Sequence, residues 1–196
     1  MNILSFIIYC IVVTFTPGPT NIVILSSVQH HGTRQTMVYV SGATLAFGLL
    51  LAASALLNHL LAGVLPEILR IMQIAGSVYM LYLAYQVYHM GRSSGEVTRH
   101  SASFYSGLLM QFVNPKVLLF TLTVIPGYVM PYYDSSAAAF GFVLLVTFIG
   151  FLAFTTWVAF GSVFRSFLQQ HRRVMNTLMA LFLVYSAVLV SGIIEI

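Results

Sequence analysis

The chain has 196 residues, of which 59% are hydrophobic and only 6% charged, with a mean hydropathy of +0.94. A soluble domain carries roughly 25% charged residues, so this composition excludes a dissolved globular protein and makes lipid the solvent. The formal charge of +4 does not signal nucleic acid, because the eight Lys and Arg are scattered rather than gathered in a basic stripe.

At about 20 apolar residues per crossing of a ~30 Å hydrocarbon core, the length allows about six crossings and no separate catalytic module. The apolar runs are roughly 3–27, 36–62, 66–89, 104–130, 137–164 and 173–194. Each predicts a helix, because in lipid a helix satisfies its backbone polar groups internally, and the runs lack the alternating polarity of a membrane β-barrel. The expected fold is therefore all-α, a polytopic membrane protein of six transmembrane helices.

The first run starts without a basic region and has no small-residue cleavage site, so it reads as a retained span rather than a signal peptide. Its Cys10 is the only cysteine, which excludes an intramolecular disulfide, a Cys-based zinc site and a CxxC redox pair; it reads as a small apolar filler. At the middle of the run stands Thr16-Pro17-Gly18-Pro19, followed by Asn21. Pro17 and Pro19 have no N–H, so the carbonyls of Val13 and Phe15 lose their helical partners, and Gly18 loosens the backbone between them. In an isolated helix each such proline costs about 3 kcal/mol. A plain kink is one reading. The other is a pair of half-helices whose freed carbonyls and helix N-terminus form a polar site.

The loop that follows holds His30-His31 with no third ligand nearby, which argues against a metal site. The second run carries Ser41, Gly42, Ala43, Thr44, Ala46 and Gly48, a small-residue face suited to close helix packing. His59 near its end reads as a hydrogen-bonded structural residue, and Leu65-Pro66-Glu67 predicts a corner before the third run. Along the third run, Tyr79, Tyr82, Tyr85 and Tyr88 trace one stripe, suited to packing or interface anchoring.

The fourth run contains Asn114-Pro115-Lys116, a second proline break. Lys116 is the only charged residue that the runs place deep in the membrane, where a cation costs about 2.5–3.5 kcal/mol on insertion scales. The flanking apolar stretches 104–113 and 118–124 leave it far from either surface, which disfavours snorkelling. A fixed ammonium suits a ligand carboxylate, and Asn114 can donate and accept beside it. Arg165, Arg172 and Arg173, between the last two runs, read as topology determinants.

Arg34, Arg92, Arg99, Arg165, Arg172 and Arg173, six of the eight cationic residues, fall in the first, third and fifth loops. The positive-inside rule puts that face in the cytoplasm and both termini outside. Sliding the second half back by half the length lays Asn114-Pro115 on Thr16-Pro17 and overlaps the remaining runs in pairs. With an odd number of crossings per half, the halves must run oppositely through the membrane. The expectation is two inverted three-helix repeats, about 1–98 and 99–196, in a single membrane domain.

Enzyme signatures are missing: there is no H-E-x-x-H, no G-x-S-x-G and no Gly-rich phosphate loop, so neither an enzyme nor a cofactor is expected. No Asp or Glu lies deep in any run, which gives carboxylate-based proton coupling no support.

Taken together, Thr16-Pro17-Gly18-Pro19 with Asn21, Gly76-x-x-Tyr79-x-x-Tyr82-Leu83, and Asn114-Pro115-Lys116 resemble the motifs of the lysine-exporter superfamily of small bacterial translocators (LysE/RhtB type). The resemblance spans the chain. It implies a multi-pass inner-membrane exporter of amino acids or close derivatives, commonly driven by the proton gradient. The pattern is similar to the branch that exports neutral, sulfur-containing or hydroxylated amino acids such as cysteine, O-acetylserine, threonine or homoserine. Carried over by position, Pro17, Gly18, Pro19 and Asn21 fall in the family's first motif and Asn114, Pro115 and Lys116 in its second, which makes these seven the expected substrate-binding residues. A zwitterion would offer its carboxylate to Lys116 or a half-helix N-terminus, and its ammonium to freed carbonyls around Val13 and Phe15. The expected partners are a small amino acid and the lipid bilayer, and a homo-oligomer is compatible with the sequence. Competing readings are a non-transporting membrane subunit or scaffold, in which the breaks are only kinks, and a divalent-metal exporter, which would need ligands within the spans.

Overall fold

A computed structural model describes residues 1–89, 103–133 and 135–191, and all regular structure there is helical. Arg92 and Arg99, which bear on the predicted topology, lie outside the described residues, as does the side chain of His59. The helices are α1 (Ile3–Phe15), α2 (Pro19–His31), α3 (Thr33–Leu56), α4 (Asn58–His89), α5 (Phe104–Val113), α6 (Pro115–Val124) running into a π-helical turn (Ile125–Val129), α7 (Ser136–Val163), α8 (Arg165–Gln170) and α9 (Arg172–Val190).

Local chemistry sets the boundaries. The Asn2 side chain accepts from Ser5 N–H to start α1, and Ser103 forms a capping box with Ser106 at α5. Pro19 and Pro115 occupy first-turn positions of α2 and α6, where a missing N–H costs nothing. Gly32, at φ +80°, turns the chain from α2 into α3.

By length and composition α3 and α7 each suffice to cross a bilayer, and α1–α2 and α5–α6 do so as pairs bent by 50° and 70°. Among the described residues that makes two candidate crossings, or four if each bent pair counts as one, against the six expected of the whole chain. The expected corner at Leu65-Pro66-Glu67 is absent: the backbone is helical from Asn58 to His89, and the chain breaks instead at Leu57, φ −103° and ψ 15°. A lone proline removes one donor, which a long helix absorbs, whereas the two prolines around Gly18 remove two within one turn. The stretch 165–173, expected as a loop, contains α8.

The bundle is apolar on its surface as well as in its core, with Leu4, Leu45, Ile74, Leu144, Phe148 and Leu181 all outward. Helix α2 is the opposite: every residue from Gly18 to Gln29 is buried, although the helix holds Thr20, Asn21, Ser26, Ser27 and Gln29. A helix enclosed on all sides is the natural carrier of polar side chains in a lipid-facing fold. Two apolar clusters surround it, one centred on Ile24, Val28, Tyr39 and Leu183, the other on Phe6, Cys10, Leu51 and Val146.

Close approach is set by glycine. A Cβ on Gly42 of α3 would lie 2.0 Å from the Phe104 carbonyl oxygen, and one on Gly107 of α5 would lie 2.1 Å from that of Tyr39. Of the small residues expected to form one packing face on the second run, Gly42 and Ala43 meet α5, Gly48 meets Thr147 of α7, and Ser41 is exposed. Gly76 of α4 abuts the second break in the same way, its Cβ position 2.4 Å from Val113 O. At the far end of α2, α8 folds back and the two clasp: Gln29 Nε2 donates to Leu168 O at 3.3 Å, and Gln169 Nε2 donates to Gln29 O at 3.0 Å.

Candidate functional site

At the first break α1 ends on Thr16, whose N–H still reaches Val12 O at 3.1 Å. Gly18 is extended at φ −161° and ψ 173°, and the next bond of the helical ladder is Ile22 N–H to Gly18 O at 3.0 Å. The carbonyls between them must find other donors or remain orphaned in low dielectric. Val13 O accepts from Thr16 Oγ1 at 2.9 Å and Phe15 O from Trp157 Nε1 of α7 at 3.2 Å. Thr16 O accepts from Asn21 Nδ2 at 2.9 Å and from Lys116 Nζ at 2.8 Å. Lys116 Nζ also reaches Thr16 Oγ1 at 2.9 Å and Pro17 O at 3.3 Å.

At the second break Asn114 caps α6, its Oδ1 accepting from Lys116 N–H at 3.1 Å. Its Nδ2 donates to Thr20 Oγ1 at 2.8 Å, and Gln111, one turn earlier, joins the same hydroxyl at 3.3 Å. Residues about 94 apart in sequence are thus joined by side-chain hydrogen bonds, and the two breaks form one structure. Thr20 is its hinge. Thr20→Val removes the shared hydroxyl while keeping the shape, leaving Asn114 Nδ2 without its partner and Gln111 Nε2 with only Gly107 O, at a cost of about 1–3 kcal/mol. The expected result is a lower melting temperature in detergent than wild type.

Both breaks open on one cavity of about 30 Å³, lined by Val13, Thr14, Gly18, Thr20, Asn21, Phe47, Asn114, Lys116, Val117, Phe120 and Phe154. That volume holds a water or two. It lies where the two apolar clusters meet, with Phe47 stacked on Phe120 at 6.0 Å between ring centroids and edge-on to Phe154 at 6.2 Å. The polar side is Thr14, Thr20, Asn21, Asn114 and Lys116; among the described residues that line the cavity none is acidic. Asn21 Oδ1, in a side chain only 3% exposed, has no hydrogen-bond partner.

Of the residues expected from sequence, Gly18, Asn21, Asn114 and Lys116 line the cavity, and Pro17 contributes a carbonyl to Lys116. Pro19 and Pro115 are buried helix starts and do not line it. The carbonyls of Val13 and Phe15, expected to receive a ligand ammonium, are already engaged; the acceptors facing Lys116 are one step on, at Thr16 and Pro17. Thr20, Gln111, Trp157 and the phenylalanine wall went unread in the sequence. Gln111 alone left a trace, a polar residue three before Asn114 in an apolar run. Among the described residues no three His, Cys, Asp or Glu side chains come together, so the divalent-metal reading finds no ligand set there.

The family model described as LysE type translocator matches residues 11–191. The chain is 30% identical over 184 residues to proteins named cysteine/O-acetylserine efflux protein in Escherichia coli K12, Escherichia coli O1:K1 and Shigella flexneri, with 94% of each chain covered. No solved structure matches it. With the paired breaks in place and the match running through both, the chain belongs to the LysE type translocator family, and it is a membrane transporter rather than an enzyme.

Proposed function

We propose that this protein exports small neutral amino acids or their derivatives across a bacterial inner membrane, by alternating two inverted three-helix halves around the paired breaks. The observation that carries the reading is the joining of both breaks at one cavity through Thr20, Asn114 and Lys116. Broken helices meeting at a polar site are the usual substrate site of inverted-repeat transporters. In this reading α4 and α9, which pack along each other, complete six crossings.

A zwitterion would place its carboxylate on Lys116 Nζ and its ammonium among Thr16 O, Pro17 O and the unpartnered Asn21 Oδ1. The phenylalanines would take the side chain. No Asp or Glu lies deep in an apolar run and none of the described residues lining the cavity is acidic, so a second positive charge lacks a partner there and lysine and arginine are expected to be poor substrates. The relatives named for cysteine and O-acetylserine efflux support this class. A cavity of about 30 Å³ is too small for any amino acid, so the substrate must enter a wider conformer.

Purified protein reconstituted in vesicles is expected to move labelled O-acetylserine or cysteine and to leave lysine behind. Absence of any amino acid flux from active, correctly inserted protein would favour the scaffold reading; robust lysine flux would overturn the neutral-substrate assignment. A C-terminal fusion to a reporter that works only outside the cytoplasm is expected to be active, and an inactive fusion would reverse the topology.

A further inference from the structure

Lys116 Nζ makes three hydrogen bonds, to Thr16 O, Thr16 Oγ1 and Pro17 O, and an ammonium has three N–H donors to give. All three acceptors belong to the first break and none is a carboxylate. The oxygens are available because the extended Gly18 takes the backbone out of the helical ladder. Lys116 comes from the other half of the chain and lies flat across that break. A Cβ on Gly18 would sit 3.1 Å from Lys116 Cδ and 3.3 Å from Nζ, so the bare backbone of Gly18 is what lets the side chain lie down.

We infer that Thr16 O, Thr16 Oγ1 and Pro17 O form a cradle for a primary ammonium, which Lys116 fills in the empty protein and surrenders to the substrate's own α-ammonium. The inference rests on the exporter reading for the identity of that substrate. The exchange conserves hydrogen bonds. A substrate carboxylate draws Lys116 Nζ into a charge-assisted pair, stronger than its bonds to neutral oxygens, and the substrate ammonium takes over the vacated oxygens. At no stage is a freed carbonyl left bare in low dielectric.

The same logic selects for molecules that carry both groups. A simple amine must compete with a tethered lysine whose effective concentration is on the order of millimolar or more. A simple carboxylate can pull Lys116 away but leaves the cradle empty. Only an α-amino acid supplies the pull and the replacement together.

Trp157 is the only tryptophan in the chain, and its Nε1 donates to Phe15 O, the residue next to the cradle, at 3.2 Å. Its fluorescence therefore reports on this break without background. Purified Lys116→Ala protein titrated with methylammonium chloride is expected to show a saturable change in Trp157 emission. Wild type is expected to show none over the same range, and tetramethylammonium, which has no N–H, none with either protein. Adding Thr16→Val to Lys116→Ala should weaken methylammonium binding about tenfold. Lys116→Ser serves the same purpose if the alanine variant fails to insert. The inference is overturned by no saturable response in either inserted variant, by an equal response to tetramethylammonium, or by wild type binding methylammonium as well as the variant does. The amine titration needs no transport, so a positive result with no amino acid flux would retain the cradle and discard the exporter, and the opposite pair of results would do the reverse.

Discussion

Lys116→Ala is expected to reduce export about 10- to 100-fold while the protein still reaches the membrane. The loss follows from the cost of removing a charged hydrogen-bond partner, about 1.5–3 kcal/mol, with each 1.4 kcal/mol worth a factor of ten. Two opposing terms decide whether the variant folds. Removing Nζ strips a donor from the Thr16 and Pro17 oxygens, both on exposed residues, at about 0.5–1.5 kcal/mol for each hydrogen bond lost. It also deletes a cation within an apolar span, relieving about 2.5–3.5 kcal/mol. These nearly cancel, and Thr16 O keeps its bond from Asn21 Nδ2. Export of a labelled neutral amino acid from energised cells, with variant abundance in the membrane measured alongside, separates the site from the scaffold. Unchanged export at equal abundance would remove Lys116 from the substrate's path.

Gly42→Ala carries the largest expected loss of stability. The new methyl would lie 2.0 Å from Phe104 O and 2.9 Å from its carbonyl carbon, and these are backbone atoms of a packed helix that cannot rotate aside. Relief requires α3 and α5 to separate, which also lifts Gly107 off Tyr39 O. Overpacking typically costs 1–3 kcal/mol, and contact with backbone belongs at or above the top of that range, against a total stability of only about 5–15 kcal/mol. Little monodisperse protein should survive extraction. Gly141→Ala is the matched control: nothing lies within 4 Å of its added methyl, and its stability should stay within about 0.5 kcal/mol of wild type. Similar yields from both variants would contradict the packing of α3 on α5.

The parts of this architecture that the sequence announces are those whose physics is local. A proline lacks its N–H in any environment, so the breaks at Pro17, Pro19 and Pro115 could be placed without knowing their neighbours, and a lysine in an apolar run is conspicuous for the same reason. Pro66 shows the limit, since whether one lost hydrogen bond ends a helix depends on what packs around it, and there the helix continues. What stayed hidden is long-range: Trp157 answering Phe15 O, Gln111 and Asn114 converging on Thr20, and Lys116 turning toward Thr16 and Pro17. Those partners lie 91 to 142 residues apart, and no spacing rule within either half could pair them.

The clasp between α2 and α8 joins positions 139 and 140 residues apart through side-chain amides and backbone carbonyls alone. Neither bond has an ionised partner, so Debye screening has almost nothing to act on there. Breaking these two bonds should depend on temperature and hardly at all on ionic strength, so dilute and concentrated media alike should leave them in place.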